Sequence, residues 1–312
     1  MKQDRKGAGI VCLGEGMIEE RVGLDGSVSA YYGGDVLNIA IHLARLGFDV
    51  AFASAIGADA ESDALAAAWQ AEGLDTALLT RHGQRSVGRY RIALDREGER
   101  TFAYQRDMSA AREMFAMPGQ ARWRDALADA DLFVFSLISL AILPDRGRQD
   151  LLETADRIRR QGGKVAFDGN YRPLLWSGAE RARHWRDRAV ALADFGLPTL
   201  EDEMALGGGN AAVVAEAWRD LGCGEVLVKL GAAGCRLPDG STLAPPEALR
   251  PVDTSGAGDA FDAGYLAARM RGGDPHDAAM AGHRLAGWAI MRNGAIPRRD
   301  EAAPYSNSTR WT

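Results

Sequence analysis

Val252-Asp253-Thr254-Ser255-Gly256-Ala257-Gly258-Asp259-Ala260-Phe261-Asp262-Ala263-Gly264-Tyr265 is a turn of small residues running straight into an apolar helix. Such a turn exposes unpaired backbone N–H groups where the helix dipole is positive, so it can hold an anion while Asp259 faces whatever approaches. The plainer reading is an ordinary N-terminal cap, but Thr254 and Ser255 already suffice for that duty. Asp259 is then left without a structural task. The stretch reads as a phosphate cradle beside a base, at a strand-to-helix junction of an α/β protein.

Outward from it, apolar strand-like runs at 10–13, 50–56, 132–135, 164–167 and 225–230 alternate with helical patterns such as 36–46, 145–160 and 211–221. That alternation predicts an α/β fold with a doubly wound, mostly parallel central sheet and helices on both faces. Two segments break the rhythm. Residues 19–32 and 86–106 alternate polar and apolar side chains around Asp25-Gly26 and Glu97-Gly98, and read as hairpins of a small β lid open on one face. The expected organisation is one α/β domain over 1–312, with lid strands inserted at about 17–33 and 85–107.

Bulk properties narrow the function. With 312 residues, 46% hydrophobic and 26% charged, the chain can bury a large core. A formal charge of -6 argues against nucleic acid or an anionic membrane as partner, and the basic run 181–188 reads as a solvated helix face. No run approaches the roughly 18 apolar residues of a membrane span, and the polar opening does not read as a signal peptide, so a cytoplasmic location is expected. Cys12, Cys223 and Cys235 lack metal-ligand spacing, and His42, His82, His184 and His276 form no cluster. Neither a disulfide framework nor a zinc site is indicated.

Ligands in open α/β sheets bind beyond the carboxyl ends of the strands. Gly14-Glu15-Gly16 starts like a dinucleotide fingerprint, but Glu19 stands where the third glycine belongs, and no Walker P-loop occurs. Gly33-Gly34-Asp35-Val36-Leu37-Asn38 is a glycine turn opening a helix, with Asn38 able to point its amide at a hydroxylated ligand. In Asp168-Gly169-Asn170-Tyr171-Arg172-Pro173 an arginine before a proline can fork onto a carboxylate or phosphate. Lys229-Leu230-Gly231-Ala232-Ala233-Gly234 ends a strand with glycines that let a flat base approach the backbone.

Taken together, Gly33-Gly34 to Asn38, the Lys229 to Gly234 turn and above all Asp253 to Leu266 resemble the ribokinase or PfkB-type sugar kinases along the whole chain. Four further stretches resemble the branch acting on 2-keto-3-deoxygluconate: Gly14-Glu15-Gly16-Met17-Ile18-Glu19, residues 98–106, Asn170 to Trp176, and Arg292-Asn293-Gly294-Ala295-Ile296-Pro297. The resemblance implies ATP-dependent phosphorylation of that sugar acid at its 6-hydroxyl. Asp259 would be the base, with the amides of Gly256, Ala257 and Gly258 holding the charge on the phosphoryl group. Gly34, Asn38, Tyr90, Tyr104, Arg106 and Arg172 would bind the sugar acid, one arginine meeting its carboxylate and the other the ATP phosphates.

The same resemblance puts ATP against Asn170, Lys229, Gly231, Gly234 and His283. It brings Mg2+ with the phosphates, organised by Asp202 or Glu203, although this chain has Thr199-x-x-Asp202 where relatives carry Asn-x-x-Glu. Asp262, often Asn or Ser in relatives, lies three residues beyond Asp259 and is expected to repel it and raise the proton affinity of one of the two. Gln105 and Val36 are milder departures. A homo-oligomer through the open lid is expected. Other acceptors (fructose, ribose, 5-dehydro-2-deoxygluconate), a nucleoside kinase and a non-catalytic sugar-acid sensor are the competing readings.

Overall fold

A computed structural model describes residues 9–305, apart from 24–25, 95–99, 118–122, 124–126 and 128; of 92–94 and 100–104 it describes the backbone alone. The main sheet runs Glu225–Val226, Phe195–Leu197, Lys164–Asp168, Leu132–Ser136, Ile10–Leu13, Val50–Gly57, Leu74–Asp75, and Leu79–His82 also pairs with Val50–Gly57. Every pairing in it is parallel. The order turns back at Ile10–Leu13, with later strands on one side and Val50–Gly57 on the other, which is a doubly wound topology.

The period-two pattern of the strands divides the core. Val11, Leu13, Phe133 and Phe135 join one buried cluster, together with Leu140, Leu151, Ala155, Trp185 and Trp218 from helices on that face. Ile10, Cys12, Leu132 and Val134 join the other, with Leu37, Trp69, Leu266 and Leu285. Side chains that alternate across a strand therefore serve helices on both faces, as buried parallel strands require. The helix Asp145–Arg160 has its expected bounds, Asp35–Arg45 is displaced by one residue toward the N-terminus, and Ala211–Asp220 starts as expected and ends one residue early. All three cysteines are buried and free.

The run 225–230 is not one strand. Glu225–Val226 stays in the main sheet, whereas Val228–Lys229 pairs antiparallel with Cys235–Arg236, which pairs in turn with Thr242–Leu243. Periodicity could not reveal this, because an apolar run looks alike whichever edge it pairs.

A second, four-stranded sheet follows the order Val28–Gly33, Met17–Val22, Gly88–Leu94, Arg100–Gln105. Its two outer pairings are antiparallel and the central one is parallel. Only three residues separate the end of Ile10–Leu13 from the start of Met17–Val22, so the small sheet rises from the carboxyl edge of the main one. Asp25 and Glu97-Gly98, the expected turn residues, lie outside the described residues.

Candidate active site

The helix Ala257–Met270 starts at Gly256, whose φ of 70° is left-handed. A side chain there would strike Ala295, with Cβ atoms 2.7 Å apart, so glycine meets both a conformational and a steric demand. Thr254 and Ser255 do not cap this helix, which has no side-chain cap. Asp253 holds the turn instead, accepting from the amides of Ser255 and Gly294, both at 3.0 Å, and pairing with Arg21 at 3.2 Å. The Ala257 amide is spent on the Thr254 carbonyl at 3.2 Å. Those of Gly258 and Asp259 take no acceptor among the described residues, so Gly258 rather than Ala257 offers the open donor.

Asp259 stands in the first turn of this helix, 9% exposed, and its Oδ2 accepts from Asn38 Nδ2 at 2.6 Å. The Asn38 amide thus faces a carboxylate, while its Oδ1 is buried without a donor. Asn38 is set by the helix Asp35–Arg45, whose entry at Gly34 passes so near the Glu15 carbonyl that a Cβ would lie 2.1 Å from it. Burial, then Asp35, raises the Asp259 carboxyl to about 8, Asp168 adding to this and Asn38 and Lys229 opposing it. Asp262 is the member of the pair that the repulsion raises: burial first, then Asp168 and Asp259, push its carboxyl well above the usual range, with Lys229 opposing. It points to Lys229 Nζ at 2.7 Å, and Lys229 also meets Asp168 Oδ1 at 3.0 Å.

The expected sugar side converges on the small sheet. Tyr90 donates to Glu19, and Arg106 pairs with the buried Glu15 at 3.0 Å. A Cβ on Gly33 would come within 2.8 Å of the Tyr90 hydroxyl, 3.8 Å of Asn38 Oδ1 and 3.9 Å of Glu19, which places these groups around one space. Tyr104 pairs with Tyr90 through the backbone, and its side chain lies outside the described residues. Arg172, half exposed, donates to the Tyr171 carbonyl at 2.7 Å and lies 3.5 Å from Asp202. Burial raises the Asp202 carboxyl to about 6, with Arg172 opposing it.

Other positions are occupied differently from expectation. Asn170 donates to Asp35 at 3.3 Å. Lys229 is buried between two carboxylates. Gly231 borders open space, but a side chain on Gly234 would lie 2.0 Å from the Leu243 carbonyl, so this glycine serves strand approach. His283 packs edge-on against Phe261 at 5.0 Å with Nε2 3.7 Å from Cys235 Sγ, a satisfied helix residue. Glu203 is buried and paired with Arg186, so its charge is already spent; only Asp202 of the two offers a carboxylate toward Arg172. Among the described residues no cluster of three acidic, His or Cys side chains stands ready for a metal.

Sequence reasoning passed over Asp168, Asp35, Glu15 and Glu19. Asp168 ends a parallel strand at its carboxyl edge, a position that itself signals ligand chemistry.

The pfkB family carbohydrate kinase model matches residues 10–302. The chain belongs to that family. It is accordingly an ATP-dependent sugar kinase with the fold shared by its members. It is 39% identical to the 2-dehydro-3-deoxygluconokinase of Escherichia coli K12 over 95% of this chain and 98% of that one. Among solved structures, a PfkB protein from Polaromonas sp. JS666 superposes with a TM-score of 0.82 at 28% identity, over 95% of this chain and 98% of that chain. The aminoimidazole riboside kinase of Salmonella enterica, solved with aminoimidazole riboside and an ATP analog, gives a TM-score of 0.77 at 25% identity, covering 92% and 95%.

Proposed function

We propose that this kinase phosphorylates 2-keto-3-deoxygluconate at its 6-hydroxyl, giving the 6-phosphate and ADP. The observation that carries the chemistry is the buried Asp259 carboxylate, held by Asn38 at the head of a turn whose Gly258 amide has no acceptor among the described residues. The choice of acceptor rests on the 39% identity to 2-dehydro-3-deoxygluconokinase and on Arg106 and Arg172, two cations suited to a sugar acid.

In this reading the hydroxyl to be phosphorylated lies against Asp259, which takes its proton as the new bond forms. A base that titrates near neutrality keeps a useful ionised fraction while remaining strong enough to accept the proton. Asn38 Nδ2 fixes the carboxylate, and its Oδ1 accepts from a neighbouring sugar hydroxyl, which would satisfy a buried orphan atom. The Gly258 amide and the helix dipole hold charge on the moving phosphoryl group. Bound ATP supplies that group, and phosphoryl transfer of this kind depends mainly on positioning and electrostatics. Magnesium accompanying the triphosphate would be held by Asp202, through water, in keeping with a site that keeps few protein ligands.

Tyr90 and Arg106 close the acid end from the small sheet, which acts as a lid. Exposed Val28 and Tyr31 on its outer strand support association of two lids. The cytoplasm, where ATP is available, is the proposed location.

A coupled assay of ADP release with 2-keto-3-deoxygluconate, its galactonate epimer, fructose and ribose tests the reading. The expected result is kcat/KM for the gluconate acid at least about 100-fold above the neutral sugars. A preference for a neutral sugar overturns it.

A further inference from the structure

Lys229, Asp262 and Asp168 form a buried charge cluster under the phosphoryl turn. The ammonium lies 2.7 Å from Asp262 Oδ2 and 3.0 Å from Asp168 Oδ1, and all three residues are at most 7% exposed. A methyl group on Gly258 would stand 3.8 Å from Lys229 Nζ and meet no other atom within 4 Å. The ammonium therefore borders the open space over the turn, and the absent side chain at 258 is what leaves it within reach.

The arrangement is not closed. Two carboxylates meet one ammonium, and Asp262 Oδ1 is buried with no partner. A buried ion pair is a poor stabiliser compared with apolar side chains of the same volume, and a half-satisfied one is poorer. Lysine is also a point charge on a flexible stem, so a fixed position needs partners on more than one side.

We propose that Asp262 is a positioning residue: with Asp168 it holds the Lys229 ammonium against the turn 256–258 and sets how much positive charge that turn presents to a phosphoryl group. The proposal rests on the reading of that turn as the phosphoryl site. The charged groups around the cluster are Asp35 on Asp35–Arg45, Asp168 at the end of Lys164–Asp168, Asp202 on Leu200–Ala205, and Asp259 on the same helix as Asp262. Removing one carboxylate and removing the ammonium must then act in opposite directions.

The test is a charge cycle. In Asp262→Asn, the ammonium is less compensated: the Kd for ATP measured without acceptor should fall several-fold, and the acid limb of kcat/KM should move to lower pH. In Lys229→Met, the Kd should rise at least about tenfold and the limb should move to higher pH. Combining Lys229→Met with Asp262→Leu should bring both readouts back toward the parent enzyme. Melting curves verify folding, and Asp262→Ser replaces any Asp262→Asn protein that does not fold. Shifts of the same sign in both single variants, or a change in melting temperature alone, overturn the proposal. Opposite shifts in ATP affinity in an enzyme that turns over no sugar acid would sustain it while overturning the proposed acceptor.

Discussion

Asn38 and Asp259 are 221 residues apart in the chain, yet the Asn38 amide donates to the Asp259 carboxylate across 2.6 Å. One sits on the helix that leaves the Gly33-Gly34 turn and the other on the helix that leaves the Gly256 turn. The bond joins the two glycine turns, and with them the sugar side to the phosphoryl side.

Cutting that link should disturb chemistry more than folding. Asn38→Leu removes the donor that opposes the upward shift of Asp259, so the acid limb of kcat/KM should rise in pH. Loss of a hydrogen bond to a charged group costs about 1.5–3 kcal/mol, or roughly 10- to 150-fold in kcat/KM near neutrality. A pH–rate profile identical to the parent's would contradict this.

Asp259 should cost stability at neutral pH. Its folded value of about 8 lies above the unfolded carboxylate range, so the folded state binds more protons between roughly pH 4 and 8. Its contribution is therefore complete below the unfolded value and is lost as pH rises through the folded one. Asp259→Asn should be more stable than the parent at pH 8 by on the order of a few kcal/mol, and so melt higher, and the gap should close toward pH 5. Thermal melts at both pH values decide it; a gap that widens toward acid would be the wrong sign.

Gly256 and Gly258 should respond differently to alanine. Gly256→Ala adds a side chain at φ 70° and against Ala295, so melting temperature and kcat should both fall. Gly258→Ala meets only Lys229 Nζ at 3.8 Å, so the fold should survive while ATP affinity and kcat fall. Equal melting losses in the two variants would show that both glycines are purely structural.

Glu203 and Asp202 should separate stability from metal use. Glu203→Gln takes from the half-buried Arg186 one of its two carboxylate partners, leaving Asp187, and should lower stability by about 1.5–3 kcal/mol, with the magnesium requirement unchanged. Asp202→Asn should keep stability but raise the magnesium concentration needed for half-maximal rate. Titration of Mg2+ in both variants checks the assignment.

The alternating strands and helices were readable because burial on both faces of a parallel sheet demands apolar runs, as at residues 10–13, while a covering helix needs one apolar stripe, as Leu151, Leu152, Ala155 and Ile158 give 145–160. The small sheet was readable from its polar and apolar alternation. What could not be read was partnership. Nothing in Asp253 announces that it, rather than Thr254 or Ser255, holds the turn through Gly294, which lies 41 residues away. Lys229 next to a glycine turn suggested a nucleotide contact, but not that tertiary packing also brings two distant carboxylates to it. Glu203 looked like a metal ligand until Arg186 was seen beside it. Charge pairing across the fold is set by packing, which local sequence does not encode.

The most direct measurement is the turnover of Asp259→Asn with ATP and 2-keto-3-deoxygluconate, alongside its ATP affinity and melting curve. If Asp259 is the base, kcat falls by about 10²–10⁴-fold while ATP binding and folding persist. A folded variant whose kcat stays within tenfold of the parent's would contradict the account.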